Sequence, residues 1–162
     1  MIMKSDYSIG PARESDAPGI MKLLSQVLEI HAAARPDIFI SGTTKYTAEE
    51  VKIIINDEKT PVYTAVDGEG RVLGYAICEL KEMPRSQNIV PFRYLYIDDL
   101  CVDESQRGRR IGREIFEYVK SEAEKAGVYE ITLNVWEGNP RAKAFYEALG
   151  FTPQKYVMEM IL

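Results

Sequence analysis

A strand that runs directly into an amphipathic helix is the feature that most constrains the fold of this chain. The run YLYIDDLCV at residues 94–102 is the longest predicted strand, and a helical pattern follows over residues 108–126. The apolar stripe of this helix consists of Ile111, Ile115, Val119 and Ala123. Gly127 marks the end of the helix, and a further strand is predicted at residues 131–135. A strand–helix–strand unit needs a sheet with a helix packed on it, so the second half of the chain is predicted to be α/β.

The other predicted elements extend this sheet. Residues 62–66 and 72–79 are β-prone runs joined by the turn sequence DGEG, which predicts an antiparallel hairpin. The remaining predictions are a strand near residues 7–9, a helix through 20–31, a shorter helix through 47–55, a loop over 81–93, a helix over 140–149 and strands near 151–162. No repeat or linker divides the sequence. The chain is therefore predicted to form one domain, residues 1–162, of the mixed α/β (α+β) class.

Composition and charge exclude several classes of protein. The chain has 162 residues and a formal net charge of −5, which is the wrong sign for a general nucleic-acid-binding protein. No apolar run approaches about 18 residues, so no membrane-spanning helix is predicted. The first residues lack the layout of a signal peptide, and Cys78 and Cys101 lie in apolar runs that predict buried free thiols. We therefore expect a soluble cytoplasmic protein that binds neither nucleic acid nor membrane.

A segment rich in glycine and arginine, DESQRGRRIG at residues 103–112, joins the long strand to the helix. The first turn of a helix presents unpaired backbone N–H groups, and glycines at positions 108 and 112 would let a ligand approach them. Positive charge is added by Arg107, Arg109, Arg110 and Arg113. These features are typical of a phosphate-binding site, but a solvated arginine-rich turn has the same composition. The segment has neither the Gly-Lys-Ser/Thr ending of a Walker loop nor the Gly-x-Gly-x-x-Gly pattern of a dinucleotide site.

A second segment of interest, residues 134–151, contains a helix start. Asn139 is a predicted N-cap before Pro140. One face of the helix that follows carries Ala142, Phe145, Tyr146 and Leu149. A tyrosine on such a face either packs in the core or presents its hydroxyl to a ligand, since a buried hydroxyl usually needs a hydrogen-bond partner. The pattern by itself fits both alternatives.

Together the two segments resemble the GNAT superfamily of N-acetyltransferases, which use acetyl-coenzyme A (acetyl-CoA). The matching features are the strand end at residues 100–102, RGRRIG at 107–112, and the Asn, Ala, Phe-Tyr and Gly-Phe positions within 139–151. Arg110 departs from the family, which often has a second Gly or Ala at that position. The resemblance covers residues 94–151 and implies a mixed, mostly antiparallel central sheet flanked by helices.

The resemblance also implies how the cosubstrate acetyl-CoA binds. The backbone of Leu100, Cys101 and Val102 would pair with the pantetheine arm, and Asn139 would contact the same arm. The implied pyrophosphate-binding residues are Arg107, Gly108, Arg109, Arg110, Ile111 and Gly112. No cluster of His or Cys residues predicts a metal site.

Two side chains are implied to carry the chemistry. Tyr146 would donate a proton to the departing thiolate, and Asp98 is the first candidate for the base that deprotonates the amine. A structural carboxylate is an equal alternative for Asp98 and the preferred interpretation of Asp99. His31 and Tyr96 fall where family members line the acceptor pocket. Strand alternation would place Tyr96, Asp98 and Leu100 on one face and Ile97, Asp99 and Cys101 on the other.

The implied activity is direct transfer of the acetyl group from acetyl-CoA to a primary amine, which could be a small molecule or a protein N-terminus or lysine. A covalent route through Cys101 is less favoured, because the sequence shows no base beside it. The alternative is a noncatalytic acyl-CoA-binding sensor or scaffold. The apolar tail at residues 156–162 predicts a last strand that could also pair with a second copy in a homodimer.

Overall fold

The fold is built on one six-stranded sheet in which the strands follow one another in chain order. The computed structural model describes residues 1–3 and 6–162. All neighbouring strands are antiparallel except the last pair, which is parallel. The strands are β1 (Ile2–Met3), β2 (Tyr7–Pro11), β3 (Val62–Asp67), β4 (Val72–Glu82), β5 (Arg93–Val102) and β6 (Glu130–Leu133). The helices of three or more turns are α1 (Ala17–Ala34) and α3 (Ile111–Lys125), and the shorter ones are α2 (Ala48–Asn56) and α4 (Pro140–Glu147).

Apolar side chains cover both faces of the sheet. The stripe of α3 packs on one face, where it buries Leu95 and Ile97 of β5. The other face is covered by α1 and α2, and its buried residues include Tyr75, Ile77 and Cys101. Burying apolar surface stabilises a fold by about 25 cal/mol per Å², and this contribution on each face holds the helices to the sheet. The predicted mixed, mostly antiparallel sheet flanked by helices is confirmed.

A bulge in β5 changes which of its side chains share a face. Ile77 of β4 pairs with Asp99, whereas the next residue, Cys78, pairs with Ile97, so Asp98 is an extra residue in the ladder. An extra residue reverses the alternation beyond it. Leu100 consequently packs with Ile97 on the α3 side, while Cys101 belongs to the α1 side. The predicted alternation, with Leu100 opposite Ile97, is therefore wrong.

The helix predicted from residue 108 begins later, at Ile111. Gly108 and Arg110 both have left-handed backbone conformations, with φ of +83° and +66°, which a right-handed helix does not admit. The residues between the end of β5 and α3 therefore form a loop.

The strands predicted near residues 151–162 are not formed, and that prediction is wrong. Residues 152–162 are exposed and have no regular structure, and two of their side chains contact the domain. Gln154 donates to the Glu130 carboxylate at 3.2 Å, and Glu159 forms an ion pair with Arg35 at 2.6 Å. The tail sequence YVMEMIL is apolar without the alternation that gives a strand one buried face, so its composition alone suggested a strand. Pairing of this tail with a second copy stays a prediction.

The last two strands pair over the four residues of β6 only, and the site lies beyond the end of this pairing. Parallel pairing of β5 with β6 runs from Tyr94–Glu130 to Ile97–Leu133. Beyond Ile97 the outer edge of β5 has no neighbouring strand among the residues that the structure describes. Backbone N–H and C=O groups on such an edge can bind an extended ligand.

None of the helices in the described part of the chain is long and apolar enough to cross a bilayer.

Candidate active site

A cleft of about 680 Å³ opens beside the part of β5 that extends beyond its pairing with β6. Its walls come from α1, the second half of β5, the loop that follows β5, the first turn of α3, the segment after β6, and α4. The predicted site residues that line it are His31, Asp98, Leu100, Cys101, Val102, Arg107, Gly108, Arg110, Ile111, Gly112, Asn139 and Tyr146. The structure therefore brings together residues that lie more than a hundred positions apart in the sequence.

The loop and the first turn of α3 form the end of the cleft that suits an anion. The first hydrogen bond within α3 joins the Glu114 N–H to the Arg110 carbonyl at 3.1 Å, so the N–H groups of residues 111–113 precede the helical ladder. A Cβ on Gly112 would lie 3.3 Å from Val102 Cγ2 and 3.4 Å from Phe145 Cζ. A Cβ here would require the Val102 side chain to move by a few tenths of an ångström, so glycine suits the close approach of α3 to β5.

The arginines of this segment have different surroundings. Arg107, Arg110 and Arg113 line the cleft, and Arg113 also donates to the Ala148 carbonyl at 3.0 Å. Arg109 does not line it, because its guanidinium forms an ion pair with Asp6 and a hydrogen bond with Gln106. The structure therefore separates the Arg109 side chain from the other predicted phosphate ligands.

Arg110 has a left-handed backbone, which costs a non-glycine residue about 1–2 kcal/mol. Arg110→Gly is therefore expected to raise the free energy of unfolding by about 0.5–1 kcal/mol, the remainder being offset by the greater freedom of glycine in the unfolded chain. Urea denaturation without ligand measures the change. Arg107→Gly is the matched control, since its φ of −64° suits any residue and it should lose stability. Equal losses in both variants would show that Arg110 is not strained.

Asp98 is held by two side chains from the segment between α1 and α2. Its carboxylate oxygens accept hydrogen bonds from Lys45 Nζ at 2.7 and 2.6 Å. The Tyr46 hydroxyl donates to Oδ2 at 2.9 Å, and the Asp98 side chain is only 10% exposed. This carboxylate therefore has its charge neutralised by a lysine and fixes that segment to the bulge of β5.

Asp99 has no ion-pair partner within the described residues, and it also lines the cleft. The hydroxyl of the fully buried Tyr75 donates to Asp99 Oδ2 at 2.6 Å. Burial raises the pKa of Asp99 to about 6, although the Tyr75 hydrogen bond acts in the opposite direction. A carboxylate of this kind is ionised at neutral pH and is a stronger base than an ordinary aspartate.

Tyr146 reaches the cleft from α4, and its ring packs against Phe145 and Phe151 at centroid distances of 5.1 and 5.6 Å. Its hydroxyl makes no hydrogen bond with any residue that the structure describes. Burial, together with the nearby Asp99 and cysteine thiols, raises the pKa of Tyr146 above its usual range. The hydroxyl is therefore protonated at neutral pH and free to donate to a ligand.

The remaining predicted residues have clear positions. Asn139 is the N-cap of α4, as predicted, and its Oδ1 accepts from the Ala142 N–H at 3.1 Å. Cys78 and Cys101 are buried free thiols, as predicted. His31 lies in the last turn of α1 with its ring 5.1 Å from Phe39. Tyr96 does not line the cleft; its hydroxyl accepts from Asn134, which does, at 3.1 Å, and Lys81 lies 4.3 Å from its ring centroid.

Sequence reasoning did not single out Tyr75, Lys45 and Tyr46, which do not line the cleft themselves but hold its two aspartates. Each contacts an aspartate that is distant in the sequence, and a lone tyrosine in a strand or a lone lysine in a loop carries no local signal of such a contact. Within the described ranges, no group of three or more His, Cys, Asp or Glu side chains is arranged to hold a metal ion.

Comparison with known proteins identifies the family. The model of the Acetyltransferase (GNAT) family matches residues 24–151. The chain belongs to the GNAT acetyltransferase family. The resemblance seen in the sequence is thereby confirmed, and the protein is an acetyl-CoA-dependent acyltransferase, as predicted.

Solved structures agree with this assignment. A single-site mutant of the BH1408 protein from Bacillus halodurans is 36% identical, with a TM-score of 0.91 over 96% of this chain and 99% of that chain. An aminoglycoside acetyltransferase, meta-AAC0020, from an uncultured soil metagenomic sample is 18% identical, with a TM-score of 0.70 over 96% and 95%. Glucosamine-6-phosphate N-acetyltransferase from Arabidopsis thaliana is 19% identical, with a TM-score of 0.68 over 96% and 97%. At these low identities the last two structures share the fold alone.

Proposed function

We propose that this GNAT enzyme transfers the acetyl group of acetyl-CoA directly to a primary amine. The observation that carries the proposal is the single cleft in which the loop before α3, the unpaired edge of β5, Asp99 and Tyr146 meet. Each supplies something that amine acetylation needs: anion binding, alignment of an extended thioester, a base and an acid.

The residues of the cleft fit acetyl-CoA, whose thioester supplies the activated acetyl group. The N–H groups of residues 111–113 and the Arg107 and Arg110 side chains would hold the pyrophosphate, with Gly108 and Gly112 leaving the backbone accessible. The free edge of β5 at residues 100–102 would pair with the amides of the pantetheine arm, beside Asn139. The Arg109 side chain is not part of this proposal, because Asp6 holds it elsewhere.

The two aspartates of the bulge are suited to different roles in the reaction. We expected Asp98 to take the amine proton, but its ion pair with Lys45 favours a positioning role that holds the segment between α1 and α2. Asp99 is better suited to the proton, because it forms no ion pair with any described residue and its raised pKa increases its basicity. Backbone N–H groups near residues 101 and 102 are suited to stabilise negative charge on the carbonyl oxygen, and the Tyr146 hydroxyl is suited to protonate the leaving thiolate.

Direct transfer is preferred to a route through an acetylated cysteine. Burial and the nearby Asp99 raise the pKa of the Cys101 thiol to about 12, and the thiolate is the nucleophilic form. Cys101 would therefore be protonated and inert at neutral pH.

A thiol-release assay separates the proposed enzyme from a noncatalytic acyl-CoA sensor. We expect release of the coenzyme A thiol from acetyl-CoA to accelerate at least about tenfold when a suitable primary amine is added, because attack by the amine is the catalysed step. A panel of small-molecule amines and peptides with free N-termini or lysines should be screened at saturating acetyl-CoA. Tight acetyl-CoA binding with no amine-stimulated release across the panel would favour the sensor instead.

A further inference from the structure

The end of the cleft away from the arginine loop is apolar and aromatic. The part of α1 up to Gln26 lies beside that loop, where Lys22 forms an ion pair with Asp103 at 3.1 Å and Gln26 accepts from the Glu104 N–H at 3.2 Å. Ile30 and His31 are one to two turns further along α1, so they line the opposite end. Val135 and Trp136, from the segment after β6, also line the cleft.

Three rings form what we call the aromatic wall: His31, Phe39 and Trp136. The His31 and Phe39 centroids are 5.1 Å apart, and Phe39 meets Trp136 edge to face at 5.4 Å. Burial and the nearby Lys45 lower the pKa of His31, which keeps its ring neutral at neutral pH. His31 and Trp136 line the cleft, and Phe39 contacts both rings without lining it, so the wall presents two uncharged rings to the cleft.

The wall is braced from outside the cleft by one arginine. Arg35 lies 5.5 Å from the Trp136 ring centroid. Its guanidinium forms two hydrogen bonds with Asp37, at 2.9 and 2.7 Å, and two with Glu159 of the tail, at 2.6 and 3.0 Å. Paired contacts of this kind fix the orientation of the guanidinium and hence its position against the indole. The indole ring of Trp136 is therefore held in position before a ligand binds.

Few negative charges line this end of the cleft. The carboxylates among the lining residues are Asp98 and Asp99. Lys45 neutralises Asp98, which leaves the charge of Asp99 for a ligand. A polyamine or an aminoglycoside carries several ammonium groups, each of which loses hydration without a carboxylate to replace it. A ligand with one ammonium group and an apolar body therefore fits this end of the cleft better than a ligand with several ammonium groups.

Resting on the proposed function, we propose that the acceptor is a small monoamine with an aromatic body. The ring of the acceptor packs against the aromatic wall, and its single amine reaches Asp99. Phenethylamine is the probe for this class, and spermidine and tobramycin represent polycationic amines. Contact of an aromatic ring with a preformed aromatic wall is expected to favour phenethylamine by about 10- to 100-fold in kcat/KM.

Trp136 is the only tryptophan of the chain, so its fluorescence reports binding without turnover. With coenzyme A in place of acetyl-CoA, phenethylamine is expected to change the emission saturably, and spermidine is not. Trp136→Ala should raise the KM for phenethylamine about tenfold or more while leaving the KM for acetyl-CoA unchanged, and Trp136→Phe should recover most of the loss. Tyr129→Ala is the matched control, because Tyr129 is 75% exposed and does not line this cleft.

The outcomes separate this proposal from the proposed function. Efficient acetylation of spermidine or tobramycin, with phenethylamine a poorer substrate, would overturn the aromatic-monoamine acceptor and leave the acetyltransferase function intact. Saturable quenching by phenethylamine without acetylation of any amine would support the aromatic subsite and contradict the function. Absence of any fluorescence response to phenethylamine would overturn the subsite itself.

Discussion

Tyr146→Phe is expected to lower kcat by about 10²–10⁴-fold, the usual contribution of a general acid, while coenzyme A affinity changes little. The substitution removes only a hydroxyl that makes no hydrogen bond with the described residues, and the ring keeps its packing against Phe145 and Phe151. Because the hydroxyl is needed only as the C–S bond breaks, the loss should fall on kcat rather than on binding. Stopped-flow thiol release measures kcat. Thermal unfolding of the same preparation, with and without coenzyme A, measures stability and binding.

The control for this prediction is Tyr129→Phe, which removes an equivalent hydroxyl from an exposed ring outside the cleft. It should leave kcat unchanged. A structural role for Tyr146 predicts the reverse pattern, a lower melting temperature with near-normal turnover per folded molecule. Because the pKa of Tyr146 is raised, the wild-type rate should not fall with pH until above the usual range of tyrosine.

Asp99→Asn is expected to lower kcat/KM by about 10²–10⁴-fold through loss of the general base. The base must be ionised to act, and burial raises the pKa of Asp99 to about 6. The wild-type rate should therefore rise with pH through about 6 and level off above it, and the variant should lack this limb. A pH–rate profile from acidic to neutral pH checks the prediction.

Two neighbouring substitutions make the Asp99 test specific. Asp98→Asn weakens the contact with Lys45, so it should raise the acceptor KM but keep the acid limb. Tyr75→Phe removes a hydrogen bond that favours the ionised form of Asp99, so the limb should move to higher pH. If the rise of the rate with pH were lost in Asp98→Asn and kept in Asp99→Asn, Asp98 and not Asp99 would be the base.

The sequence predicted the parts of the site that local patterns encode. The strand of residues 94–102, the stripe of α3 and the Asn139 cap each depend on neighbours within a few positions, and the structure has all three. The resemblance of two such segments was enough to identify the family and the cleft that they form.

The parts that the sequence could not predict depend on long-range contacts. The bulge at Asp98 is a property of the pairing between β4 and β5, and neither strand alone carries a signal for it. Lys45 reaches Asp98 and Tyr75 reaches Asp99 across 53 and 24 positions, so the roles of the two aspartates could not be separated beforehand. Composition alone suggested a strand in the tail, where the structure has no regular element.

Rapid-quench mixing of the enzyme with acetyl-CoA labelled in its acetyl group tests the central claim most directly. After an amine acceptor is added, direct transfer predicts that label reaches the amine at the same rate as coenzyme A thiol is released, one for one, with none on the protein at any time. Label that reaches the protein before the amine would contradict direct transfer. Thiol release without a labelled amine would contradict the acetyltransferase activity itself.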